Sequence, residues 1–435
     1  MPGCRASGAG PPVLRPAATG SSAARYALYW APMARSNPQA LLIAGLIFAG
    51  ILVLDPFGLM RAGSGLERSE IDPARVEELA EYLREHHQAP EAYLAGLFNQ
   101  HSVVFLGEYG RLREQVAFVT EALDTLHAAG VSRIGLTHLL AADQSEIDEL
   151  ITTEEFDRTQ AERLLFNRKV LWGYEQYVEL LEAIWRINRG TEPGDLPLRA
   201  VGLNAQPAYR HLERPPDLEN PEKMQMVFAD GVPDREIAGA VKREIIASGE
   251  RALVFTAVEH AFTGFEDRAY AERMRSLGFA ETARAGNYVA EELGAEVATV
   301  LMHAPWPDSS ASSEVRSPAG GAIEAALTAV PERYRRAGLS LIEGPFGELE
   351  LSGGDYLHGY STVRLAELAD GYIALGLIGE YQTVTPISSF IEPENLDEAI
   401  RRFPGPTPDG ASVSGMNAYL QRINDQVERN LELFR

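Results

Sequence analysis

Val103-Val104-Phe105-Leu106-Gly107-Glu108 is an unbroken apolar run that stops on a carboxylate, and Tyr109-Gly110 and then a helical stretch follow it. A short apolar run bounded by polar residues reads as a strand buried on both faces, the habit of parallel sheets. Its acid then stands at the C-terminal end of a buried strand, where ligands and reacting groups gather in α/β sheets.

The same alternation continues downstream. Further strands are expected at Val131–Leu136, Leu198–Leu203, Ala252–Ala257, Glu296–Met302 and Tyr372–Leu375. Helical periodicity fills Glu114–Ala129, Glu162–Asn188 and Arg235–Ala247 between them, and returns in Val413–Phe434. Asp72-Pro73 opens an earlier helix, with Asp as N-cap and Pro in the first turn. Strands separated by helices predict an α/β fold with a largely parallel or mixed central sheet and helices on both faces. Residues 190–197, 213–222 and Pro305–Gly321 read as loops, the last with a Ser-rich exposed centre. One large domain over 72–435 is expected, with a division near residue 310 as the alternative.

Ala40–Leu54 is free of charge, and Gln39 and Pro56–Met60 extend it close to the length that crosses a bilayer. Arg5, Arg15, Arg25 and Arg35 precede it, and only Arg61 follows closely. That bias predicts a transmembrane signal anchor at 39–60, a disordered cytoplasmic N-terminus at 1–38 and a linker at 61–71. The body then lies on the extracytoplasmic side of the cell membrane, as a single-pass protein. A cleaved signal peptide and a soluble core helix are the rival readings. Met33 is an alternative start that leaves a compact anchor.

With the five Arg and one Asp of residues 1–61 set aside, 34 basic and 61 acidic residues remain, a formal net charge of −27. Such a body is a poor partner for nucleic acid or anionic lipid. Cys4 is the only cysteine, which excludes an intramolecular disulfide and a cysteine-based zinc site. There is no G-x-S-x-G elbow, no P-loop and no H-E-x-x-H.

Polar residues cluster just past expected strand ends: Glu108 and Tyr109, Thr137-His138, Asn204, Glu259-His260 and His303. Parallel strands all end on one side of the sheet, so these residues can share a cleft. Glu108, His138, His260 and His303 form a donor set suited to a divalent metal, which would polarise a carbonyl and activate water. Glu108 and His260 are the candidate catalytic pair, with Asn204, Glu259 and Tyr109 as ligand-binding candidates. If they share a metal, their functional atoms lie roughly 4–6 Å apart. Each also has a plainer reading: Glu108 as a helix cap, His138 as a loop-start residue, His260 as a satisfied core histidine, His303 as a backbone donor and Asn204 as a turn former.

The order of these segments resembles the superfamily of ChaN-type haem-uptake lipoproteins, TraB and Tiki proteins, and erythromycin esterases. Ser102–Glu108 is similar to its first G-E-x-H strand, and Ile134-Gly135-Leu136-Thr137 with Asp143-Gln144 to its second strand and helix start. Trp172, Tyr174, Tyr177 and Leu180-Leu181 resemble its aromatic helix, Ala200–Asn204 its A-L-N strand and Leu253–His260 its second G-x-x-H element. Ala369–Ile373 resembles a late strand of some relatives. The resemblance implies a metal-dependent hydrolase of ester or peptide-like substrates. Three family positions differ: the first histidine falls on Gly110, the second-strand glutamate on Thr137 and the later glycine on Ala257. Those differences keep two alternatives open, a degenerate domain that binds a small molecule, peptide or partner, and a haem- or metal-handling protein. The haem-binding tyrosine of ChaN-like relatives has no matching position.

Overall fold

The computed structural model describes residues 71–435 apart from 193, 308–314, 353–354 and 406–410. The N-terminal segment over 1–38, the anchor over 39–60 and all but the last residue of the linker therefore lie outside the described residues. Among the described residues, no helix is long and apolar enough to cross a membrane.

Helix α1 (Pro73–Glu85) opens as its sequence predicts: the Asp72 side chain accepts from the Ala74 amide at 2.9 Å, and Pro73 takes the first turn, where an N–H has no helical partner. There follow β1 (Val103–Glu108), α2 (Arg113–Ala128), β2 (Val131–Leu140), α3 (Arg158–Arg168), α4 (Glu175–Gly190), β3 (Arg199–Asn204) and α5 (Pro233–Glu244). Next come β4 (Arg251–Ala257), the single turn α6 (Val258–Ala261), α7 (Ala285–Leu293), β5 (Val297–Met302), β6 (Arg336–Ser340), β7 (Gly371–Leu375) and the C-terminal α8 (Val413–Glu432).

Seven strands make one sheet in the order β3-β2-β4-β1-β5-β7-β6. Neighbours run parallel except β6, which joins β7 antiparallel at the edge. The sheet is thus mixed, with a parallel body, and β1 lies at its centre with all six residues buried. Each fully buried Val, Leu or Phe there contributes about 1.5–3 kcal/mol.

Alternation assigns the faces. Val103 and Phe105 of β1, with Val201, Leu203, Ala252 and Val254, pack against Ile237 and Val241 of α5 and Ala285 and Val289 of α7. Leu106 points the other way, toward the side where α2 and α4 pack on each other. Leu106, Phe255 and Leu136 form one rung across β1, β4 and β2. Two residues further, Glu108 pairs with Ala257, and His138 is the corresponding residue of β2.

Two local expectations change. Strand β2 runs on to Leu140, with a register shift against β3 beyond Leu136, so Thr137 and His138 belong to a strand and not to a loop. Gly202 permits this: a Cβ there would lie 2.2 Å from the Leu140 carbonyl oxygen. The helix expected over 162–188 is two helices, and Lys169–Tyr174 between them is not helical. Gly173 marks the break, because a Cβ at that residue would meet the Phe390 ring at 2.2 Å.

Candidate functional site

Glu108 and His138 meet at the C-terminal ends of their strands. Each lies one strand away from β4, so their backbones are about 10 Å apart, two strand spacings. Ala257 between them offers only a methyl group, and the two long side chains close over it. His138 Nε2 lies 2.5 Å from Glu108 Oε1, and the Tyr177 hydroxyl of α4 donates to Glu108 Oε2 at 2.9 Å. Glu108 is 2% exposed and His138 6%. Burial, and then the Glu108 charge, push the Tyr177 hydroxyl well above its ordinary pKa, so it stays a donor. His138 Nδ1 is buried with no hydrogen-bond partner among the described residues. Its ring packs among Trp172, Tyr177 and Phe255, with centroids at 5.5, 4.5 and 5.3 Å.

The chain around this pair is unusual. Gly110 and Arg111 both adopt positive φ, 64° and 61°, and the second is a conformation that costs a non-glycine residue energy. It turns the Arg111 side chain inward, where Nε donates to the Tyr174 hydroxyl at 3.0 Å and the guanidinium lies 4.7 Å from the Trp172 ring centre. The Lys169 ammonium lies 4.8 Å from the same ring centre. Arg168, at the end of α3, donates from Nε to the Thr137 carbonyl at 3.1 Å, and Asn204 Nδ2 donates to that same oxygen at 3.1 Å. Thr137 itself faces the other side of the sheet and donates to the Thr256 hydroxyl at 3.1 Å.

His260 occupies a different cluster, on the face covered by α5 and α7. Its Nδ1 lies 2.7 Å from Asp234 Oδ1. Asp234 also accepts from the Ala285 amide at 2.8 Å and from Arg284 at 3.3 Å, and Arg284 reaches Asp267 at 2.6 Å. Burial opposes ionisation of Asp234, yet His260 and Arg284 hold its carboxyl down at about 2. Burial likewise opposes the His260 imidazolium, and Asp234 more than offsets this, so its pKa is raised. Glu259, 1% exposed, acts electrostatically on Tyr109, His260 and Arg284. Tyr109 is buried against Trp306, and its amide donates to Gln115 Oε1 at 2.8 Å.

His303 is sealed at 0% exposure, with Nδ1 2.8 Å from the Tyr372 hydroxyl and Nε2 2.7 Å from Glu324 Oε2. The four-residue metal set therefore needs correction. Among the described residues, no three His, Cys, Asp or Glu side chains are placed to hold a metal. The reason is visible in the hydrogen bonds: both oxygens of Glu108, Nδ1 of His260 and both ring nitrogens of His303 are engaged by protein groups. Those donors do not fit a divalent ion.

The sequence thus brings Glu108 and His138 together, sets Asn204 beside them through Thr137, and gives His260 and His303 separate acidic partners. It did not single out Arg168, Lys169 or Asp234. Asp234 follows Pro233 at a helix start, which was the available signal.

No family model matches the chain, and no curated protein matches it. Solved structures match the chain at low similarity. A protein from Bacillus cereus is 11% identical, with 72% of this chain and 98% of that one covered and a TM-score of 0.42. A succinoglycan biosynthesis protein is 9% identical, with 73% and 99% covered and a TM-score of 0.48. ChaN of Campylobacter jejuni, described with cofacial haem, is 12% identical, with 49% and 84% covered and a TM-score of 0.32. At such scores these likenesses carry no argument about activity, which rests on the site itself.

Proposed function

We propose that this chain is a hydrolase of small ester- or amide-like substrates, working by general acid–base chemistry at the Glu108–His138 pair. The observation that carries this reading is the 2.5 Å contact of Glu108 Oε1 with His138 Nε2, with Nδ1 left without a partner among the described residues. Glu108 accepts the Nε2 proton and so fixes the tautomer whose Nδ1 lone pair can take a proton. Water loses its proton to Nδ1 as its oxygen bonds to the acyl carbon. The imidazolium then returns that proton to the leaving oxygen or nitrogen as its bond to carbon breaks. Glu108 stabilises the imidazolium, and Tyr177 holds Glu108. The Trp172 indole N–H, buried without a partner among the described residues, is a donor for the negative charge that develops on the acyl oxygen.

The test is turnover of a panel of neutral and acidic p-nitrophenyl esters by the full chain and by His138→Ala. Loss of general-base catalysis lowers kcat by about 10²–10⁴-fold. Equal turnover in both proteins removes the proposal. A second reading, a ligand-binding domain without turnover, draws support from the near-complete burial of the pair. Its signature is no hydrolysis together with ligand-dependent stabilisation. Haem handling gains no support from Tyr109, which is buried beside Trp306.

The charge-free Ala40–Leu54 run and the arginines before it support a body held outside the cytoplasm by a membrane anchor. Protease added to intact cells should then degrade the body. Protection until the cells are lysed would reverse the orientation.

A further inference from the structure

Arg168 is 8% exposed, and burial pushes its guanidinium down to about 10. Among the described residues it makes no ion pair. Its one hydrogen bond runs from Nε to the Thr137 carbonyl, and Nη1 is buried without a partner. Buried charges in proteins are paired, because an isolated one forfeits its hydration with nothing in return. A second bare group feels its charge. The Tyr209 hydroxyl, on a side chain 3% exposed, also lacks a partner among the described residues, and the Arg168 charge acts directly on it. Both groups are donors, and neither faces an acid. Thr137, whose carbonyl fixes Arg168, immediately precedes His138, so Arg168 is anchored one residue along the strand from the Glu108–His138 pair.

We infer that Arg168 and Tyr209 form an oxyanion-binding subsite that takes a phosphate or carboxylate group of the ligand acted on at Glu108 and His138. The inference deepens the hydrolase reading and rests on it only for what happens to the ligand, not for the binding. A guanidinium offers two parallel N–H donors to either oxyanion, and the tyrosine hydroxyl adds a third. Asn204 supports the arrangement from behind, because its bond to the Thr137 carbonyl helps hold the oxygen that positions Arg168.

The experiment titrates the full chain with inorganic phosphate and, separately, with acetate, in a buffer free of other small anions, by calorimetry and by the thermal midpoint. Wild type should bind at least one of them saturably. Arg168→Met should weaken binding by at least about 30-fold, as removal of one partner of a buried charge pair does. Its midpoint without ligand should stay level or rise. Tyr209→Phe should weaken binding by about tenfold, the effect of one hydrogen bond to a charged group, and it serves even if Arg168→Met does not fold. Phosphate alone would assign a tetrahedral group, acetate alone a carboxylate, and both a general oxyanion site. Wild type that binds neither anion, or variants that bind as wild type does, would overturn the subsite. Oxyanion binding without ester turnover would keep the subsite and remove the hydrolase reading. Turnover without oxyanion binding would do the reverse.

Discussion

Two buried arginines, Arg284 just before α7 and Arg168 at the end of α3, differ in whether an acid meets them. Arg284 is enclosed by Asp234 and Asp267, with His260 on the far side of Asp234. Arg168 has a backbone carbonyl and no acid among the described residues. The first cluster is electrostatically complete without any ligand, as a structural network is. The second is incomplete, and an incomplete buried charge marks a place where something else binds. The comparison separates His260, part of a closed network in which Asp234 ties α5 to α7, from His138, which follows the residue whose carbonyl meets an open charge.

The sharpest way to break this contrast is to make the same substitution at both arginines. Arg284→Met removes the guanidinium shared by two buried carboxylates and should lower unfolding stability by about 3–5 kcal/mol, the cost of breaking a buried pair from one side. Arg168→Met removes a charge that has no partner, and should change stability by less than about 1 kcal/mol or raise it. Urea midpoints at neutral pH measure both. Equal losses would mean that Arg168 is as structural as Arg284.

A smaller effect tests the Glu108 end. Tyr177→Phe keeps the packed ring and deletes one donor to a buried carboxylate. It should cost about 1.5–3 kcal/mol, the range for hydrogen bonds to charged groups. The same substitution should lower ester turnover, because Glu108 is then less firmly held against His138. A stability loss with unchanged turnover would place the pair in the core and not in the chemistry.

The legible parts of this fold were those written in contiguous sequence. β1 and the parallel body stand out because the centres of such strands are short apolar runs, and Glu108 stands out because it ends one. β6 did not, since Arg336-Ala337-Gly338-Leu339-Ser340 is an edge strand with only alternate residues apolar. The break at Lys169–Tyr174 was hidden for a different reason: Phe390, far along the chain, occupies the space that a side chain at Gly173 would need. The pairing of His138 with Glu108 turned on parity. With β2 ending at Leu136 the histidine belongs to a loop; with β2 continuing to Leu140 it shares the face of Glu108, and Thr137 points away. Asp234 carried a local signal only for a helix start, after Pro233, and nothing there announces a histidine on another element.

The smallest predicted effect is the pH dependence that His260 confers. Its imidazolium is favoured in the folded protein, so its pairing with Asp234 contributes fully below its unfolded pKa of about 6.5 and fades as pH rises through the raised folded value. Asp234 titrates in the opposite sense. Its contribution is present above about 3.9, the unfolded value, and fades as pH falls toward the folded value of about 2. Stability from this cluster should therefore be level between about pH 4 and 6.5 and decline on both sides. The alkaline decline should be slight, because Arg284 stays charged and keeps Asp234 paired when His260 loses its proton. The other groups around the histidine, Glu259 and Asp267, are acids that also favour the charged ring or its arginine neighbour. Thermal midpoints of wild type and His260→Gln from pH 5 to 9 should converge as pH rises. A difference that stays constant across that range would show that His260 acts through packing alone, and the cluster would lose its claim to be held together by charge.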